Sequence, residues 1–147
     1  MFRVSKRKDE YDEIKATQIG LIAGGTGINP IYQIMDYVFR NNTQECAALV
    51  TCHLLFANHS VQDILLYHEL MNMNSKCENL HVHLTVSRTD EEWKGEVGRV
   101  DEDMIRKYMP APSDETVVLV CGPVGFVKMS IHSLKNIGHD AQRILRF

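Results

Sequence analysis

The sequence predicts an α/β domain, doubly wound, with a five-stranded, mostly parallel sheet and helices on both faces. Three observations predict it. Near-continuous apolar runs of strand length occur at 17–23, 47–57 and 116–121, the pattern of strands buried on both faces. Segments with apolar residues at helical spacing separate these runs. A glycine-rich turn, Gly24-Gly25-Thr26-Gly27, joins the first strand to the first helix. Strands that alternate with helices form parallel sheets joined by right-handed crossovers.

Residues 1–16 form a polar, peripheral lead-in, and Phe2-Arg3-Val4 reads as the end of a strand that belongs to something upstream. The first strand covers 17–23. Asn29 before Pro30 reads as an N-cap followed by proline at the first helical position. The helix over 30–40 carries Ile31, Ile34, Met35 and Val38 as its apolar stripe and stops at Asn41-Asn42. A second strand over 47–57 follows. Ser60 caps a helix over 61–73 that turns Ile64, Leu65 and Leu70 inward. Leu80, Val82, Leu84 and Val86 alternate with His81, His83 and Thr85, a strand with one less buried face at an edge. A loop holds Trp93, Gly95 and Gly98. Asp101 caps a short helix that ends before Pro110. The strand over 116–121 breaks at Gly122-Pro123, and the helix after it closes at Gly138. Residues 142–147 make a last short strand.

The chain has 147 residues, 44% hydrophobic and 24% charged, enough for one domain with one core. Its net charge of -3 argues against nucleic acid or an anionic membrane as the main partner. The Lys6-Arg7-Lys8 cluster is followed at once by acids and reads as solvated chain. No apolar run is long enough to span a bilayer, and no signal-peptide core is visible. Cys46, Cys52, Cys77 and Cys121 show neither a paired nor a zinc spacing, so a reducing, cytoplasmic compartment is expected, with membrane attachment through other regions left open. His81 and His83 share a strand face without a further ligand, so no metal site is expected.

In a doubly wound sheet, ligands bind outside the carboxyl ends of the strands. Gly25 and Gly27 let backbone approach a bulky anion, and the helix behind them offers free N–H groups to a phosphate. Valine at Gly27 is therefore expected to abolish nucleotide binding while sparing the fold. By itself such a turn also serves as a plain strand-to-helix connection.

Gly25-Thr26-Gly27-Ile28-Asn29-Pro30 and Cys121-Gly122-Pro123 resemble the two strand-end turns of the ferredoxin–NADP reductase superfamily. The resemblance is closest to the pyridine-nucleotide domains of NADH–cytochrome b5 reductase and assimilatory nitrate reductase. It extends through Leu54-Leu55-Phe56-Ala57-Asn58, Asp63-Ile64-Leu65-Leu66, Trp93 with Gly98, Asp103-Met104-Ile105 and the terminal Phe147. It implies that 17–147 is an NAD(P)-binding domain that places NAD(P)H for hydride transfer to FAD, with electrons passing on to a haem protein such as a cytochrome b5 domain. FAD would be held mainly by a separate domain, absent from this chain, so the chain alone is expected to be inactive.

The resemblance implies Cys121 beside the nicotinamide as the catalytic-site residue. It implies Gly24, Gly25, Thr26, Gly27, Asn29, Pro30, Ala57, Asn58, Ser87, Arg88, Gly122, Pro123 and Phe147 as cofactor-binding residues. Asn29 stands where the family usually has threonine, and Val124-Gly125-Phe126 replaces a proline-rich continuation. Phe126 is expected to pack inward. Ser87-Arg88 resembles the pair in NADP-dependent members, where the NADH branch has aspartate before arginine. A second reading is an interaction module that keeps the fold without catalysis. A third, an FMN-binding domain, ranks last because no Ser/Thr-rich phosphate loop follows the first strand.

Overall fold

The computed structural model describes the backbone of residues 2–7 and 10–12 and the whole of 13–40, 49–89 and 92–147. The lead-in folds into an antiparallel hairpin, β1 (Phe2–Arg7) with β2 (Glu10–Ile14). The main sheet comprises β3 (Gln18–Gly24), β4 (Thr51–Asn58), β5 (Leu80–Val86), β6 (Glu96–Val97), β7 (Thr116–Cys121) and β8 (Ile144–Arg146). Its order is β6-β5-β4-β3-β7-β8 and every pairing is parallel. The expected five strands are thus six. Glu96–Val97, read in the sequence as loop, pairs with Thr85 and Val86. Two residues are too short for any periodicity to announce a strand.

The helices are α1 (Ile28–Arg40), α2 (Tyr67–Lys76), α3 (Glu102–Tyr108) and α4 (Val124–Ile137). Two apolar layers sandwich the sheet. On one face Ile19, Leu21, Leu54 and Phe56 pack with Ile31 and Met35 of α1 and Leu70 of α2. On the other Ile22, Leu55, Val118 and Val120 pack with Ile105 of α3 and Val127 and Leu134 of α4. β3 is buried from Ile19 to Gly24, as its unbroken apolar run requires.

Local differences have local causes. The strand expected over 47–57 runs from Thr51 to Asn58, and Leu49 is an exposed turn residue; 47 and 48, the 41–42 helix stop and Cys46 lie outside the described residues. The helix expected over 61–73 is a 3-10 turn, Val61–Asp63, followed by α2. The break is Leu66, held at φ 57, a left-handed conformation that a Cβ disfavours. Leu65 therefore points outward at 42% exposure, while Ile64 and Leu70 turn in as expected. Ser60 caps no helix through its side chain; its hydroxyl donates to Asp63 Oδ2 at 2.8 Å. Asp101 does cap α3, accepting from the Met104 N–H at 2.8 Å, and Gly138 closes α4 at φ 114.

Candidate functional site

The strand order reverses at β3. β4, β5 and β6 lie to one side of it, β7 and β8 to the other. The crevice at that reversal opens between the carboxyl ends of β3 and β7, where a doubly wound sheet binds its ligand. Both glycine turns sit there.

After β3 the chain turns through Gly25–Gly27 in one 3-10 turn that runs directly into α1. Gly24, extended at φ -123, stands at the head of this run. Asn29 is therefore not the N-cap: it lies inside the first turn of α1, exposed, with Pro30 behind it. The leading N–H groups of the run have no preceding helical turn to bond to, and with the helix dipole they form an anion-binding end. Gly25 has φ 53, and nothing lies within 4 Å of where its Cβ would stand. A left-handed glycine with open space before it is what a close ligand approach requires.

Gly27 does something else. A Cβ there would lie 2.6 Å from the Cys121 carbonyl carbon and 2.8 Å from the Gly122 nitrogen. Its missing side chain makes room for the other turn, so valine there would disturb the fold, contrary to the expectation from sequence. A Cβ on Gly122 would meet Phe126 at 2.8 Å and the Gly24 backbone at 3.3 Å, and one on Gly24 would meet the same ring at 3.1 Å. Phe126 packs inward, as expected, as the wedge beneath both turns.

The hydrogen-bond ladder places the other residues in one row along this edge. Ala23 is in register with Cys121, and Gly24 with Ala57. Past the strands, the Ser87 N–H donates to the Asn58 carbonyl at 3.0 Å and the Arg88 N–H to the His59 carbonyl at 2.8 Å. On the far side the Phe147 N–H donates to the Val120 carbonyl at 3.1 Å. The row runs Phe147, Cys121-Gly122-Pro123, Gly24 to Gly27, Ala57-Asn58, Ser87-Arg88. Neighbouring strands are about 4.8 Å apart, so the row suits an elongated ligand.

Burial raises the Cys121 thiol above its ordinary range, so it stays protonated near neutral pH. A half-buried, protonated thiol is a small polarizable wall and not a nucleophile. Asn58 Nδ2 is buried with no hydrogen-bond partner in the structure. A buried donor of this kind calls for an acceptor, and Asn58 stands at the carboxyl end of β4, in register beside the turn after β3. Replacing Asn58 by leucine removes the orphan, so apo stability should hold or rise, while nucleotide affinity falls by up to about tenfold, the worth of one hydrogen bond. Thermal melts and calorimetric titration of the variant check this. Unchanged affinity would place the amide away from the ligand.

A cavity of about 430 Å³ lies between the ends of α1 and α2, lined by Tyr32, Phe39, Arg40, Met73, Lys76 and Cys77. Its lining comes from α1, α2 and Cys77 and includes no residue of either glycine turn. Among the described residues no group of three or more His, Cys, Asp or Glu side chains is placed to hold a metal ion.

Residues 21–132 match the oxidoreductase NAD-binding domain family. The chain is 36% identical to NADH-cytochrome b5 reductase 3 of Rattus norvegicus over 131 residues, which is 88% of this chain and 42% of that protein. It is 40% identical to an NADH-cytochrome b5 reductase-like protein of Arabidopsis thaliana over 124 residues, 82% of this chain and 36% of that one. It thus spans less than half the length of these curated relatives. Among solved structures, the cytochrome b5 reductase domain of Ulva prolifera nitrate reductase superposes with a TM-score of 0.82 at 31% identity, over 94% of this chain and 52% of that one. A ferredoxin NADP+ reductase of Neisseria gonorrhoeae with bound FAD and NADP shares the fold, with a TM-score of 0.70 at 15% identity over 90% of this chain and 56% of that one.

Proposed function

Since the chain belongs to the oxidoreductase NAD-binding domain family, we propose that it is the nucleotide-binding half of a flavin-dependent NAD(P)H reductase of the cytochrome b5 reductase or nitrate reductase type. The observation that carries this reading is the meeting of the two glycine turns at the reversal of strand order. The residues fit the cofactor. Gly25 leaves open space before a helix start, Asn58 holds an unmet donor, and Cys121 offers a protonated wall.

In this reading the first turn of the Gly25–Arg40 helical run binds the pyrophosphate through backbone N–H groups and the dipole. Thr26, exposed between the glycines, offers its hydroxyl toward the nicotinamide amide. Cys121 lines the nicotinamide pocket and sets its depth. Ser87 and Arg88 take the adenosine end. The hydride chemistry is supplied by the bound nicotinamide and by a flavin. Phe147 and Val124, 58% and 71% exposed near this end of the sheet, are apolar residues that a flavin domain would cover. The electron acceptor proposed is a haem protein such as a cytochrome b5 domain. No helix among the described residues is long and apolar enough to cross a membrane.

The chain by itself should purify without flavin absorbance and show no NADH-driven reduction of ferricyanide. Adding a cytochrome b5 reductase-type flavin domain should restore turnover. Stoichiometric FAD retained by this chain alone would overturn the division of labour.

A further inference from the structure

The sheet face beneath α3 carries three imidazoles. His53 on β4 is in register with His81 on β5, and His83 pairs with Leu55 two residues on. The His53 ring stacks on His81 with centroids 4.7 Å apart and lies 6.3 Å from His83. His83 stacks on Tyr108 of α3 at 4.2 Å. The Tyr108 hydroxyl donates to Glu96 Oε1, which also accepts from Lys107 Nζ at 2.8 Å.

Glu96 opens β6, in the Trp93–Gly98 segment that lies beyond Ser87 and Arg88 in the chain. Trp93 Nε1 donates to the Glu96 carbonyl at 2.9 Å, and a Cβ on Gly95 would lie 2.7 Å from the Trp93 ring. The segment is pinned to β5 by Gly98, whose N–H donates to the Val86 carbonyl and whose carbonyl accepts from Thr85 Oγ1. One continuous row of contacts thus runs from the imidazoles through Tyr108 to the wall of the adenosine end.

The charged and titratable groups facing His83 are His53, His81, Lys107 and Glu96, with Tyr108 against its ring. Glu96 is the one anion among them, and Lys107 and Tyr108 already occupy it, holding its carboxyl below the usual range. His53 Nδ1 is buried without a partner. A proton arriving on this row therefore meets other imidazoles and a lysine, and Glu96, the one carboxylate facing His83 among the described residues, is already engaged by Lys107 and Tyr108.

We propose that the stacked His53, His81 and His83 form an acid-sensitive latch: with His53 and His83 neutral, the stack holds Tyr108 and the Glu96 segment closed; with His53 and His83 protonated, their mutual repulsion opens the stack and releases that segment from β5. Burial and the neighbouring imidazoles hold His53 and His83 below the ordinary histidine range, His83 down to about 4. A histidine titrates at about 6.5 when freed. The closed form is therefore at full stability above about 6.5 and loses it as pH falls from there toward about 4, because the open form binds more protons. The consequence for ligand binding rests on the placement of adenosine proposed above: release of the segment weakens nucleotide binding in acid.

Trp93 is the chain's single tryptophan, so its emission reports the segment directly. The full 147-residue chain without nucleotide is titrated from about pH 7.5 to about 4.5, with far-ultraviolet circular dichroism alongside. His83→Phe keeps a ring on Tyr108 without a proton, and His81→Phe keeps one on His53 at an exposed strand position. The wild type should change emission before ellipticity is lost, and both variants should need more acid to do so. Emission that moves only with global unfolding, or identically in all three proteins, overturns the latch. In a second arm, NAD is titrated at about pH 7.5 and about 5.5. Wild-type affinity should fall about fivefold or more and that of His83→Phe less than about twofold, a coupling ordinary for linked sites. A latch seen by Trp93 with affinity unchanged leaves the latch standing and overturns the adenosine placement instead.

Discussion

Gly27→Val should unfold the crevice as well as empty it. The added Cβ falls on the Cys121 carbonyl carbon at 2.6 Å and the Gly122 nitrogen at 2.8 Å, both backbone atoms that cannot rotate aside. The two turns must separate, and Phe126 beneath them loses its seat. Overpacking of this kind costs about 3 kcal/mol or more. For a chain this size that lowers Tm by roughly 6–12 °C. Nucleotide affinity should drop by more than about tenfold because the two halves of the crevice no longer meet. Gly25→Ala is the contrasting variant. Nothing lies within 4 Å of its Cβ, so the fold loses only the left-handed penalty of about 1–2 kcal/mol. Its methyl stands in front of the turn, so its main effect should appear in binding. Melts and titrations of the two variants side by side check the assignment. A native Tm for Gly27→Val would contradict the contact between the turns.

Ser87→Asp should reverse nucleotide choice. Ser87 and Arg88 are held at the crevice rim by backbone bonds to Asn58 and His59, so neither drifts with the loop that follows. We propose that Ser87 leaves room and a donor for a phosphate on the adenosine ribose, and that exposed Arg88 pairs with it through its planar fork. Aspartate at 87 would instead accept from the ribose hydroxyls and repel a phosphate. Removing a like charge and adding one charge-assisted bond is worth roughly 1.5–3 kcal/mol, or about one to two decades in affinity. The wild-type chain should therefore bind NADP at least as tightly as NAD, and Ser87→Asp should prefer NAD. Dissociation constants for both nucleotides and both proteins, at one salt concentration, decide it. A wild type that favours NAD about tenfold or more would contradict the serine reading and leave an NADH-type site.

Much of this molecule is legible in its sequence. β3, β4 and β7 announce themselves because strands buried on both faces need no polar positions. The two turns are legible because only glycine, proline and caps break such runs so sharply. What the sequence hides is who occupies the space a glycine leaves. Gly25 and Gly27 read alike, yet one faces open space and the other the carbonyl of Cys121 at the end of β7, 94 residues away in the chain. The helix start is hidden for a related reason: Asn29-Pro30 carries good capping chemistry, but the 3-10 turn from Gly25 begins the helical run first. Leu66 shows tertiary packing overriding propensity, since nothing in Leu65-Leu66-Tyr67 signals a left-handed break. His53 could not be joined to His81 and His83 without the strand register. Asn58 could be placed at the strand end, but its orphaned amide is visible only in three dimensions.

The central claim is that the crevice between β3 and β7 is a nicotinamide dinucleotide site. Backbone amide chemical shifts of the isotopically labelled chain, followed as NAD is added, test it residue by residue. Saturable shifts should concentrate at Gly25, Thr26, Gly27, Asn58, Ser87, Cys121 and Gly122, with Met73 and Cys77 of the α1–α2 cavity unmoved. Shifts confined to that cavity, or none at millimolar nucleotide, would contradict it.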